Sequence, residues 1–325
     1  MLNTVENLSK LIDKEIKLID LGKKPASLYD PLYYILSLGG KRIRPLLTLM
    51  AYTLYRDHPE EAIKPALAVE VFHNFTLMHD DIMDKAPLRR GRTTVHEKWD
   101  SNVAILSGDV MLIKAYELLM HVETKKLKKI ISAFNTCAAL VCEGQQFDMD
   151  FETRKEVLEE EYIEMIKLKT AVLLGFSLEL GGIIGEASDQ DCEALRNFGI
   201  NIGIGFQLKD DLLDVYADQS KFGKQVGGDI IANKKTLLLI EAINKSKGKT
   251  KQELFGWLSK EQFDPAEKVN AIMTIYDKLN VREIAEQKID RYFSIGLDYL
   301  SSISAPKHKI AILKTFTQHL INREK

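Results

Sequence analysis

Apolar residues recur three and four positions apart in run after run of this chain, as in Leu46 to Tyr55, Ala66 to Met83, Val103 to Met120 and Ile130 to Phe147. The every-second-residue alternation of a half-buried strand is hardly seen. A period near 3.6 belongs to helices, so the chain is expected to be all-α, with about ten or more helices. Breaks are expected where turn chemistry collects: Gly39-Gly40, Asp57-His58-Pro59, Ala86-Pro87, Gly181-Gly182, Gly227-Gly228 and the polar stretch from Lys245 to Lys251. The charge-dense stretch from Glu152 to Glu161 reads as a solvated helix or loop. Leu8, Leu11, Ile12, Ile16 and Ile19 lie at helical spacing among charges, an amphipathic N-terminal helix rather than a targeting core. No composition shift, internal repeat or low-complexity tract divides the 325 residues, so one large domain over 1–325 is the expected organisation.

Composition narrows the function classes. Hydrophobic residues make up 45% and charged residues 28%, with a formal net charge of −2, which gives no basic surface for nucleic acid. The apolar stretch from Thr170 to Gly185 is shorter than the roughly 20 residues that cross a bilayer and contains Glu179, so no membrane span is expected. Cys137, Cys142 and Cys192 show neither paired nor zinc-ligand spacing, which fits a reducing cytoplasm.

Chemistry concentrates in acidic triplets. Asp80-Asp81-Ile82-Met83-Asp84 ends an apolar helical run, and on a helix Asp80 and Asp84 share a face. Like charges beside an apolar surface cost free energy unless a cation neutralises them, and carboxylate oxygens suit magnesium, which commonly bridges acids to phosphates. A solvated helix end would explain one such triplet. The pattern recurs at Asp210-Asp211-Leu212-Leu213-Asp214, and two acidic helix faces opposed across a cavity would hold magnesium ions around one diphosphate.

Basic motifs accompany the acids. Gly39-Gly40-Lys41-Arg42-Ile43-Arg44-Pro45 sets a glycine turn and three cations before a helical run, with Pro45 suited to its first turn. A helix N-terminus favours anions, and Lys41 and Arg44 add charge to it. Leu88-Arg89-Arg90-Gly91 follows the first triplet within a few residues. Lys169-Thr170, Gln207 and the glycine-rich stretch from Phe222 to Asp229 are weak signals singly.

In this order, GGKRIRP, HDDIMD, LRRG, KT, FQLKDDLLD and FGKQVGGD resemble the signature of the trans-isoprenyl diphosphate synthases, the polyprenyl synthetase family. The resemblance implies a single large all-α helical bundle around a central cavity, a homodimer, and Mg2+ as cofactor with three ions per active site. It implies that Asp80, Asp84 and Asp210 bind magnesium directly, with Asp81, Asp211 and Asp214 completing the acidic walls. Arg89, Lys169, Lys224 and Lys234 match positions that contact an allylic diphosphate. Lys41, Arg44, His73 and Arg90 match those that hold isopentenyl diphosphate. Thr170 and Gln207 match polar groups facing the developing carbocation. One departure is Asn233-Lys234-Lys235-Thr236, where the family often carries a glycine. Asn tolerates the left-handed conformation, and either lysine remains a candidate.

The implied reaction is ionisation, condensation and elimination: an allylic diphosphate (dimethylallyl, geranyl or farnesyl) loses diphosphate, the isopentenyl double bond attacks the cation, and a proton leaves. Product length should follow from how far the tail runs along the helix before Asp80. Phe75 and Phe72 are the candidate floor, about 7.5 and 12 Å up the axis at roughly 1.5 Å per residue. With Thr76 at minus four, Phe75 resembles the geranylgeranyl type, whereas Phe72 would shorten the product toward farnesyl. A class I terpene cyclase and a non-catalytic partner subunit of a prenyl synthase are the rival readings.

Overall fold

The computed structural model describes residues 2–217 and 227–321, and these are helical almost throughout. In chain order the helices are α1 (Leu2–Leu18), α2 (Ala26–Ser37), α3 (Ile43–Thr53), α4 (Ile63–Met83), α5 (Val95–Lys98), α6 (Ser101–Leu119), α7 (Thr124–Thr153) and α8 (Glu159–Ile166). They continue with α9 (Val172–Ile184), α10 (Asp189–Tyr216), α11 (Gly228–Ile231), α12 (Leu237–Lys245), α13 (Gly248–Leu258), α14 (Pro265–Lys278), α15 (Val281–Ser302) and α16 (Lys307–Ile321). A π-helical turn, Lys167–Ala171, joins α8 to α9. The all-α expectation holds, and each of the four apolar runs read from the sequence falls within, or within two residues of, one helix.

Residues group into two compact units, each built from separate stretches of chain: Met1–Ala138, Leu173–Arg196 and Ser302–Leu313 in the first, and Ala139–Val172, Asn197–Ser301 and Lys314–Lys325 in the second. In the first unit α4 is the central element. It packs along α6 and α3, and Ala66, Ala68, Val69, Val71 and Phe72 are fully buried. A helix with core contacts on most of its surface has no wide polar face to give water. Phe72 stacks edge-on against Phe134 of α7 with ring centres 5.0 Å apart, and Phe134 in turn meets Tyr116 of α6 and Phe176 of α9. The Asp100 side chain caps α6 by accepting from the Val103 amide at 2.9 Å.

Two local features differ from the sequence expectation. Gly181-Gly182 is not a break but lies inside α9, because a Cβ on Gly181 would sit 2.2 Å from the Thr48 carbonyl oxygen of α3. The glycine there lets two helix backbones approach. LRRG forms a two-stranded hairpin, β1 (Leu88–Arg89) and β2 (Arg92–Thr93), in register Leu88 to Thr93. Its central pair, Arg90 (φ 52°) and Gly91 (φ 74°), is left-handed, as a tight two-residue hairpin turn requires.

In the second unit the buried side chains of α12, Leu237 to Ile240, form part of the core. Lys268 of α14 is fully buried, donating to the Ile231 carbonyl at 3.0 Å and lying 4.2 Å over the Phe263 ring, so it ties α14 to the end of α11.

Replacing Gly181 with Val is expected to lower unfolding free energy by about 3 kcal/mol, the cost of overpacking a tight contact. Gly256→Ala, where no atom lies within 4 Å of the added carbon, should leave stability unchanged or slightly raised. Denaturant titrations followed by circular dichroism measure both.

Candidate active site

The glycine turn of GGKRIRP opens α3 in an unusual way: its N-cap residue, Arg42, is left-handed at φ 48°, ψ 38°. That turn is held from the side chain. The Arg42 guanidinium makes a short ion pair with buried Glu70 of α4 and donates to the Leu36 carbonyl at 2.5 Å. Arg44, one helical step on, points Nη1 at His73 Nε2 across 3.1 Å, and its Nε is buried with no hydrogen-bond partner among the described residues. Since Arg can only donate, His73 Nε2 accepts and the ring proton sits on Nδ1. Gly40, at φ 130°, brings the third cation in: a Cβ there would lie 2.7 Å from the Arg90 guanidinium. The turn and the RRG hairpin, 50 residues apart, therefore converge. Loss of water and the neighbouring charges of Arg44, Arg90, Arg89 and Arg42 push the His73 pKa well below its ordinary value, which keeps the ring neutral. Such a concentration of positive field beside an unsatisfied donor is built for an anion.

The first acidic triplet lies at the C-terminal end of α4. Asp84 caps α4, its amide donating to the Asp80 carbonyl at 2.9 Å, so both carboxylates leave the helix end one turn apart. Asp81 between them points inward. It is 2% exposed and receives Arg89 in a fork, Nε at 2.8 Å and Nη2 at 2.6 Å, while Arg89 Nη2 also stands 3.6 Å from Asp80. Phe75 and Thr76 lie half-buried on α4, and Phe75 stacks on His79 at 4.8 Å, whereas Phe72 is enclosed in the aromatic cluster.

In the second unit the same division recurs. Asp211 is 6% exposed and accepts a short bond from the Tyr162 hydroxyl, while Gln207 Nε2 donates to it at 3.0 Å. Thr170 Oγ1 donates to Gln207 Oε1 at 3.3 Å, which completes a fixed chain from Thr170 to Asp211. Burial pushes the Asp211 pKa up to about 7, with Asp229 nearby adding to the rise and the Tyr162 bond opposing it. Burial likewise raises Asp229 to about 6, a rise that Lys234 moderates. Asp210 and Asp214 are less buried; Asp214 accepts from the Asp229 amide at 2.9 Å. Lys169 and Thr170 sit on the π-helical turn, a feature that often accompanies function, and Lys169 Nζ meets Asp148 of α7 at 2.6 Å. Asn233 is left-handed at φ 52°, as its place in the glycine position demands. It turns the two lysines apart: Lys234 lies in the field of Asp211 and Asp229, and Lys235 donates to the Glu152 carbonyl at 3.3 Å. Lys224 lies outside the described residues.

A polyprenyl synthetase family model matches residues 25–276. The chain is 40% identical to the geranylgeranyl diphosphate synthase of Methanosarcina mazei over 258 residues, 79% of each protein. It is 37% identical to that of Saccharolobus solfataricus over 306 residues, 92% of this chain and 91% of the relative. A crystal structure of a geranylgeranyl pyrophosphate synthase superposes with a TM-score of 0.94 at 42% identity over 99% of both chains. Another, from Pyrococcus horikoshii, gives 0.91 at 34% identity, over 99% of this chain and 98% of its own. The chain belongs to the polyprenyl synthetase family.

Within this polyprenyl synthetase, three polar side chains of the site escape a reading of motifs, Glu70, Asp148 and Tyr162, and Asp229 closes the FGKQVGGD motif without a role read for it. Each works through a neighbour rather than through a sequence pattern. Tyr162 carries the one legible signal, since seven residues before Lys169 would put it on the same helical face.

His73 also generates a pH prediction. Its folded-state pKa lies below its unfolded value, so the stability it contributes is complete above about pH 6.5 and is lost as pH falls, when the unfolded chain gains a proton that the folded one refuses. His73→Gln should remove this component: between pH 7.5 and 5 the melting temperature of the variant should fall less steeply than that of the wild type. Parallel curves would mean that the folded ring titrates normally.

Proposed function

We propose that this chain is a magnesium-dependent short-chain trans-prenyl diphosphate synthase that condenses isopentenyl diphosphate with an allylic diphosphate, and that 1–325 form one polyprenyl synthetase domain. The observation that carries the reading is the arginine cradle around His73, present in addition to the acidic triplets. An enzyme that only ionises one allylic diphosphate needs no second anion site, which sets the terpene cyclase aside. A partner subunit without catalysis would need neither the triplets nor the braces that hold Asp81 and Asp211.

The acids fit a hard dication. Asp80 and Asp84 stand at one helix end, Asp84 exposed and Asp80 half-buried with its Oδ1 enclosed, and among the described residues no set of three metal-ligating side chains closes around a point. Such acids suit an ion that takes the rest of its shell from phosphate and water, as magnesium does. Asp80, Asp84 and Asp210 would be its direct ligands, with Asp214 beside them and three ions in all. When bound, magnesium supplies positive charge that stabilises the departing diphosphate.

The side chains supply the rest. Arg89, fixed by Asp81, together with Lys169, Lys224 and Lys234, binds the allylic diphosphate and holds its charge as the carbon–oxygen bond breaks. Lys41, Arg44, His73 and Arg90 orient isopentenyl diphosphate so that its double bond attacks the allylic carbon. Thr170 and Gln207, locked to each other, turn oxygen dipoles toward the carbocation without a nucleophile that would trap it. The proton lost in elimination passes to the released diphosphate.

The proposed product has twenty carbons. Phe75 is the floor residue, being half-buried, while Phe72 belongs to the core cluster and leaves Phe75 to set the depth. A homodimer accompanies this reading, supported by an outward stripe along α6 and its C-cap, where Leu106, Ile113 and Met120 recur every seven residues and are each more than half exposed. All three cysteines are free thiols, as in a reducing cytoplasm. No described helix is long and apolar enough to cross a membrane.

Purified protein given Mg2+, labelled isopentenyl diphosphate and, in separate tubes, dimethylallyl, geranyl or farnesyl diphosphate should extend each primer to twenty carbons and lose all incorporation with EDTA. Hydrocarbon formed from the primer alone would identify a cyclase, and inertness a partner subunit. Phe75→Ala should release products one or more five-carbon units longer on the same chromatogram. Unchanged length would move the floor elsewhere.

A further inference from the structure

Three of the seven residues in GGKRIRP are cations, yet the structure gives them different work. We infer that Glu70, acting through Arg42, is a positioning residue for the isopentenyl diphosphate cradle, an inference that rests on the function proposed above. Glu70 lies on α4 between Val69 and Val71 and is 2% exposed, so its charge would be costly without an answer. Arg42 answers it, with one guanidinium nitrogen on Glu70 and another on the Leu36 carbonyl. Asn74, fully buried one turn along α4, donates to both the Glu70 carbonyl (2.8 Å) and carboxylate (3.0 Å), which holds the acid from a second side. Arg42 is thereby used up inside the protein and does not serve as an anion ligand.

Its job is geometric. A non-glycine residue at φ 48°, ψ 38° resists that conformation by roughly 1 kcal/mol or more, and the buried pair holds it there. The left-handed turn sets the direction in which Lys41 precedes α3 and Arg44 enters it. Glu70, His73 and Asn74 stand at i, i+3 and i+4 on α4, so one helix face receives Arg42 through Glu70 and Arg44 through His73. Moving the first contact therefore moves the second. The allylic cation Arg89 is held by a different acid, Asp81, although its hairpin neighbour Arg90 reaches the turn at Gly40.

Steady-state kinetics on the full chain separate positioning from stability. Wild-type turnover with isopentenyl diphosphate and geranyl diphosphate first establishes the underlying reaction; its absence would overturn the proposed function itself. Given turnover, Glu70→Gln should raise KM for isopentenyl diphosphate by about tenfold or more, as misplacement by a fraction of an ångström does, with KM for geranyl diphosphate within about twofold. The double variant Glu70→Gln, Arg42→Gln removes the unpaired buried charge. It should recover the melting temperature but not the KM. A KM that recovers with stability, or one that rises equally for both substrates, would reduce Glu70 to a packing residue and overturn the inference.

Discussion

Arg89 and Asp81 are the contact around which the first half of the site is organised. An aspartate turned into an apolar helix end is tolerated only with its charge answered, and the forked arginine answers it with three short contacts. That pairing fixes the start of the β1–β2 hairpin against α4. The hairpin's left-handed turn then projects Arg90 onto Gly40, and burial, with the added positive field, keeps His73 neutral as the acceptor for Arg44. A surface dense in like charges is tolerated because its inner members, Arg42 and Asp81, are spent on internal partners.

The second unit solves the same electrostatic problem with neutral groups. Asp211 is as deeply placed as Asp81, but its partners are a tyrosine hydroxyl and an amide. Without a full positive charge in contact, burial dominates and the carboxyl is pushed up to about 7. In both triplets the middle aspartate is buried and braced, and the outer ones are less buried. This division is the physical basis for proposing Asp80, Asp84 and Asp210, rather than every acid in the motif, as ligands.

Much of this was legible beforehand, and the exceptions are instructive. Helix positions followed from the apolar period because burying a stripe every 3.6 residues has few solutions, and the triplets and cations stood out because such charge beside apolar runs is costly. Gly181 misled because a glycine near a helix end looks like a stop, whereas here it admits the Thr48 backbone. Phe72 and Phe75 look equivalent on a helical wheel. Only the presence of Phe134 beyond α4 makes one a core ring and leaves the other half-buried. Asn233 is the converse case, since its tolerance of the left-handed region was readable and its φ of 52° follows.

By itself the sequence determined the helical class, the location of the acidic and basic motifs and the residue types able to handle a diphosphate, because these depend on local period and on chemistry carried by individual side chains. Tertiary structure alone decided which of those charges are structural. Arg42 and Asp81 are indistinguishable from Arg44 and Asp80 in a string of letters, and they differ only in what the fold places opposite them: Glu70 and Arg89, brought from 28 and 8 residues away into contact range. The physical reason is that the worth of a charge is set by the dielectric and the partners around it, neither of which is a local property of the chain.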